Sequence, residues 1–284
     1  MIIKTRTRRW TTASLSGASL AALALAGCGA PQETAASQSQ TGAMTAPAGE
    51  AGEGGFGGEA GEAGGEFGID PDAAMTDPVI YISAVEVMRA HYIAGLAALD
   101  LGDRAAAAEM FSHPISEIYV DLEPVVEARG GASIMEALNQ AAVLHFQGAD
   151  ETQLRSAVDA VLAGLDDTLA AAPEPSGSAA AVEAGVLVDL IERAVLQYAL
   201  VSENEHAWLD GYGLSGAANG RAPTALSLIA EADTEASLAF LRALALLERA
   251  YPGAEPPETL GVERSELDAA LTAAVAANAR LQAG

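Results

Sequence analysis

From Thr76 onward, apolar residues recur every three to four positions, the spacing of one buried face on an α-helix. The first such stripe is formed by Tyr81, Val85, Met88, Tyr92, Leu96 and Leu99. Between stripes stand helix-start and helix-stop signals such as Asp77-Pro78, Gly102-Asp103 and Gly130-Gly131. The pattern predicts helices over residues 76–101, 104–111, 115–129, 133–146, 150–169, 179–203, 224–251 and 265–281.

Two interruptions qualify this pattern. Residues 172–178 contain two prolines and a glycine and predict a sub-boundary that would separate two halves of the domain. Residues 204–223 contain several glycines among aromatic rings and predict a loop or a broken helix. Half of all residues are apolar but only 5% are aromatic, and Ala and Leu, the strongest helix formers, dominate. The expected class is all-α, an up-and-down helical bundle over 76–284, as one domain or as two four-helix halves.

The first 28 residues follow a different pattern. A basic segment with Lys4, Arg6, Arg8 and Arg9 precedes an apolar run over 15–26 that is too short to remain in a bilayer. The run ends in Leu25-Ala26-Gly27-Cys28, which contains the only cysteine and resembles the signal of bacterial lipoproteins. The resemblance implies a cleaved signal peptide over 1–27, a lipid on Cys28 and a membrane anchor through that lipid. An ordinary secretory signal is the alternative.

The segment from residue 28 to residue 75 is predicted to be a disordered tether. It consists largely of Gly, Ala, Glu, Ser and Gln and has almost no apolar side chains to bury. Gly29 follows the cysteine, instead of the aspartate that usually retains lipoproteins in the inner membrane. We therefore expect a cell-envelope protein at the outer membrane facing the periplasm. No run beyond Cys28 is predicted to span a membrane.

Charge and cysteine content exclude several partners and cofactors. Without the signal peptide, ten arginines remain against 39 acids, a net charge of −29. Such a surface repels nucleic acid and attracts cations. With Cys28 lipidated, no thiol remains for a zinc-thiolate site or for c-type haem. The chain has no nucleotide-binding glycine motif and no catalytic nucleophile motif, so a hydrolase is the least favoured function.

The best candidate site for a metal lies around His113. His113, Glu117 and Asp121 are four residues apart, which places them on one stripe of a helix that is predicted to begin beside His113. His91 or Glu86 from the preceding helix would complete the site. Imidazoles with carboxylates suit iron, zinc or copper. The alternative is that His113 only caps the helix and that the acids form a solvated face.

A second candidate is a protein-binding surface in the predicted loop at 204–223. Trp208, Asp210 and Tyr212 stand together there in a bundle that is otherwise poor in aromatic residues. They would bind another envelope protein if the chain were a non-catalytic scaffold. The alternative is that the two rings belong to the core, in which case they would be buried against the helix at 179–203.

Two segments resemble the imelysin-like periplasmic lipoproteins, which include proteins of bacterial iron uptake. The segments are MFSHPISEIYVDLEP at 110–124, which carries the family's Tyr…Leu-Glu-Pro pattern, and EHAWLDGYG at 205–213, which carries its acidic-aromatic pattern. The resemblance extends over residues 79–247 and implies a bundle of two four-helix halves and a connection with iron. The family's Gly-x-His-x-x-Glu motif has no counterpart here, so no family ligand is transferred.

Overall fold

The protein is described by a computed structural model that covers residues 69–204 and 206–283. This part of the chain is all-α, as the apolar periodicity predicts. Its helices are α1 (Pro71–Ala74), α2 (Pro78–Asp100), α3 (Arg104–Pro114), a π-helical segment (Ile115–Tyr119), α4 (Val120–Ala128), α5 (Met135–Leu144), α6 (Glu151–Leu169), α7 (Ala179–Leu200), α8 (Ala207–Ala232), α9 (Thr234–Ala250) and α10 (Arg264–Ala283). The signal peptide, Cys28 and the tether as far as residue 68 lie outside the described residues.

The long helices form two four-helix groups. In the first group, α2, α3, α5 and α6 pack in a closed ring, and in the second α7, α8, α9 and α10 do the same. The segment at 172–178 connects the two groups. Helix α2 also packs against α7 and α8, and a single hydrophobic cluster extends through both groups. The two halves therefore share one continuous core.

Helix α2 lies at the centre of this core. Sixteen of its residues, among them Tyr81, Met88 and Tyr92, are buried. Among the described residues it is the one helix that is long and apolar enough to cross a membrane, and 67% of its most apolar window is buried within the fold. That degree of burial is typical of a core helix, since its neighbours α3, α6, α7 and α8 cover it.

The prediction of a loop or a broken helix at 204–223 was wrong, because the chain from Ala207 onward forms the first two thirds of an uninterrupted α8. The helix that was expected to begin at Thr224 begins instead at Thr234, as α9. The side chain of Asp233 accepts a hydrogen bond from the N–H of Ala236 and caps this helix. Gly211, Gly213 and Gly216 of α8 pack closely against other parts of the fold instead of breaking the helix. A Cβ on Gly213 would lie 2.9 Å from the carbonyl carbon of Ala90 in α2. Only glycine therefore lets the two backbones approach this closely.

The folded part also begins earlier than the predicted start at Thr76. Helix α1 precedes that start, and its Ala74 is completely buried. Arg129, just after α4, holds this segment in place by donating from its guanidinium to the carbonyl oxygens of Ala171, Ala172 and Met75. The last residues that the sequence assigned to the tether are thus part of the bundle.

Candidate metal centre

The helical run from α3 to α4 changes its geometry at Pro114. Pro114 has no N–H to continue the ladder, and the N–H of Ile115 donates to Ser112, three residues back, instead of four. The carbonyl of Phe111, which a regular α-helix would pair with Ile115, accepts from the Tyr92 hydroxyl at 3.3 Å. The following turn is the wider π-helix, a geometry that often occurs at functional sites.

The far end of the π-helical segment is anchored to the next helix. The Tyr119 side chain is completely buried, and its hydroxyl accepts from the N–H of Ile134 at 2.7 Å. Ile134 directly precedes α5. The wide turn is therefore held at both ends by buried tyrosines, Tyr92 and Tyr119, and its side chains have a fixed place relative to α2.

This turn brings two imidazoles and a carboxylate together. His91 of α2, His113 at the end of α3 and Glu117 of the π-helical segment each offer one ligand atom, and these atoms lie within 4.8 Å of one another. A Glu117 oxygen is 3.9 Å from His91 Nε2, and the other is 4.0 Å from His113 Nδ1. The two rings meet edge to face, with centroids 5.9 Å apart. We call these three residues the metal triad.

The tautomer of His91 is fixed by its own helix. Its Nδ1 lies 2.9 Å from the carbonyl oxygen of Val87, and a carbonyl can only accept, so Nδ1 carries the proton. The lone pair is then on Nε2, the nitrogen on the Glu117 side. Burial lowers the pKa of His91 to about 4, which keeps the imidazole neutral at neutral pH. A neutral, oriented imidazole is the form that binds metals.

The geometry of the metal triad suits a first-row transition metal. Bond lengths near 2.0–2.2 Å place the donors of a tetrahedral ion about 3.3 Å apart. The Glu117 oxygens lie 3.9 and 4.0 Å from the two imidazole nitrogens, and the whole group lies within 4.8 Å, so side-chain rotations are needed to bring the donors to ligand distance. Two imidazoles and one carboxylate form a borderline donor set that suits iron, zinc or copper better than magnesium or calcium.

Two predicted ligands are not part of this group. Asp121 lies beyond the π-helical segment, where the surplus residue of a wide turn rotates the chain by about 100° away from the stripe. Glu86 lies five residues before His91, on another face of α2, and pairs with arginines. The prediction that a helix begins beside His113 also requires correction. His113 lies in the last turn of α3, which continues directly into the π-helical segment.

Glu86 belongs to a second polar cluster, largely buried except for Asp166, that was not recognised in the sequence. Arg221 of α8 donates to Glu86 at 2.9 Å and binds both oxygens of Glu183 in α7, at 2.7 and 2.9 Å. Arg89 connects Glu86 to Asp166 of α6. The five side chains line a cleft of about 340 Å³. The sequence did contain a sign of this cluster, because Arg221 stands in a segment that consists mainly of small residues. It was not recognised because that segment was predicted to be a loop or a broken helix.

The predicted protein-binding surface is not supported by the positions of its residues. Trp208 is buried, donates from its indole N–H to the Gly253 carbonyl and packs against Tyr198 and Tyr251. Asp210 is buried as well, and Tyr212 is half-buried against the core. Since α8 continues through this segment, its apolar rings face inward. Trp208 is therefore a core residue of the second four-helix group.

The buried His91 makes the stability of the metal-free protein depend on pH. The unfolded chain protonates His91 near pH 6.5, whereas the folded protein does so only near pH 4. Between these values the unfolded state binds more protons, so stability falls as the pH falls. Because of His91, we expect the free energy of unfolding to fall by about 2 kcal/mol when the pH is lowered from 7 to 5. Urea unfolding with a chelator present measures this loss.

A His91→Gln variant isolates the contribution of His91 to this pH dependence, because the variant keeps every other titrating group. The fall in stability from pH 7 to pH 5 is expected to be smaller in this variant by the same amount. Equal falls in the two proteins would contradict a neutral, buried His91.

The chain was compared with models of protein families, with curated proteins and with solved structures. None of the three comparisons gave a match. Any statement about the function of this chain therefore rests on its own residues.

Proposed function

We propose that this protein binds one transition-metal ion through His91, His113 and Glu117 and handles that ion as a lipid-anchored protein of the cell envelope. The observation that carries the proposal is the convergence of the metal triad, with all its ligand atoms within 4.8 Å. One ligand comes from α2 and two from the continuous run of α3 and the π-helical segment, and buried contacts hold this run in place. Local sequence proximity alone would bring only His113 and Glu117 together.

The donor set and its exposure suit reversible binding of an exchangeable ion. Three protein ligands leave at least one position on the ion for water or for an exchanging ligand. His113 and Glu117 are partly exposed, whereas His91 is buried, so the ion would be reached from one side. Iron, zinc and copper all fit such ligands. The resemblance to iron-uptake lipoproteins favours iron among them.

The proposed location follows from the N-terminal sequence. A lipid on Cys28 would hold the bundle at the outer membrane, on the periplasmic side, through the acidic tether. The net charge of −29 would raise the local concentration of cations near the bundle. We propose on these grounds an accessory role in metal uptake or handling, in a protein similar to the imelysin-like lipoproteins.

Cobalt(II) tests the site, since its visible absorption reports bound imidazole. The purified full-length protein is first stripped with a chelator and then titrated in excess Mg²⁺, which occupies the many surface carboxylates. We expect one cobalt ion per chain with an imidazole-type spectrum. His113→Ala and Glu117→Gln should each weaken this binding at least tenfold, because each removes one of three ligands.

His145→Ala is the matched control, since it removes an imidazole outside the metal triad. It should leave the cobalt affinity unchanged. Circular dichroism verifies that each variant is folded. If the variants at positions 113 and 117 bind cobalt as the wild type does, or if the wild type binds none beyond what Mg²⁺ displaces, the proposal is wrong.

A further inference from the structure

A second His–Glu pair lies on the same side of α3 as the metal triad. Glu109 precedes His113 by four residues, so the two side chains are neighbours on one face of α3. A Glu109 oxygen lies 3.4 Å from Nδ1 of His206, the residue that precedes α8. Three of the four histidines of the chain thus lie along one path that follows α3 and the π-helical segment.

Both members of the outer pair are more exposed than the members of the metal triad. The side chain of His91 is 3% exposed, and that of Glu117 is 21% exposed. The values are 32% at His113, 37% at His206 and 52% at Glu109. The path therefore leads from the buried end of the metal triad to bulk solvent, with a potential metal ligand at each step.

We propose that Glu109 and His206 form an outer station that captures a divalent transition-metal ion from solvent and passes it to the metal triad. This inference rests on the proposed function of the triad. The outer pair has the same ligand chemistry, and 3.4 Å is close to the donor separation around a tetrahedral ion. As an exposed ion pair it contributes little to stability, so an arriving ion can replace the contact at low cost.

The chemistry of the pair suits transient capture. Two ligands hold an ion less firmly than three, and both are more exposed than any member of the metal triad. The Glu109 carboxylate attracts the cation, and the imidazole nitrogen of His206 favours a transition metal over Mg²⁺. Transfer then requires a move of about one helical turn, with His113 as the next ligand.

Stopped-flow mixing of the stripped full-length protein with cobalt(II) tests the outer station. We expect Glu109→Gln and His206→Ala to slow the appearance of the triad's cobalt spectrum roughly three- to tenfold. Each variant removes a ligand that would hold cobalt ions close to the metal triad before they bind there. The final spectrum and the equilibrium affinity should remain those of the wild type. Glu266→Gln, which removes the same charge from an exposed position on α10, should leave the rate unchanged.

Each other outcome overturns the inference in a recognisable way. Wild-type rates in both variants would leave the metal triad intact and remove the outer station. Equal slowing by Glu266→Gln would assign the effect to net charge. A large loss of affinity in Glu109→Gln would make Glu109 a ligand of the final site. A wild-type protein without any cobalt signal would contradict the proposed function itself, and the outer station with it.

Discussion

Replacement of Arg221 by methionine is expected to lower the free energy of unfolding by about 3–5 kcal/mol. The variant keeps most of the apolar stem but leaves the buried carboxylates of Glu86 and Glu183 without the guanidinium that binds both of them. The destabilisation comes mainly from Glu183, whose largely buried carboxylate is left without a cation, whereas Glu86 keeps its contact with Arg89. Urea unfolding at pH 7, followed by far-UV circular dichroism, measures it.

Two further variants separate charge from packing. Glu183→Gln added to Arg221→Met removes one stranded charge and should recover part of the lost stability. Arg264→Met breaks an exposed pair with Asp268 on α10 and should have a far smaller effect than Arg221→Met. If Arg221→Met lowered stability no more than Arg264→Met, the cluster would not be a buried, coupled group.

Gly213→Ala is expected to destabilise the protein by about 2–3 kcal/mol. The new methyl group would collide with the backbone of Ala90, which cannot rotate away as a side chain can. Helices α2 and α8 would have to separate, and the apolar contacts on both sides would loosen. Thermal or urea unfolding of the variant measures this loss.

Gly220→Ala on the same helix provides the matched comparison, with the opposite sign. A Cβ at Gly220 meets nothing within 4 Å, so alanine only reduces the freedom of the unfolded chain and raises helix propensity. We expect a gain of about 0.5–1 kcal/mol. Destabilisation by both substitutions would show that the glycines of α8 matter for a reason other than the close approach at Ala90.

The helix periodicity could be predicted from the sequence because burial of one face determines it. Five of the six residues of the stripe from Tyr81 to Leu99 are buried, together with residues on other faces of α2, and the caps at Asp77 and Asp103 lie where they were expected. The beginning of α8 could not be predicted in this way. Gly213 normally weakens a helix, but here it permits a contact with α2 that no local rule contains.

The candidate site was predictable only in part, for a similar reason. His91, His113 and Glu117 could be proposed from residue type and from the turn that folds α3 back on α2. The π-helical segment could not, since it depends on Tyr92 and Tyr119 as buried partners. An ideal α-helix would include Asp121 on the stripe, and one wide turn removes it.

Because α2 belongs to the first four-helix group and also packs against α7 and α8 of the second, neither group can lose it and keep its own apolar interior covered. Loosening α2 from α3 exposes the same helix on which α7 and α8 are packed. The two halves are therefore thermodynamically one unit, and the bundle should melt in a single cooperative transition, although its connectivity resembles that of two small domains in tandem.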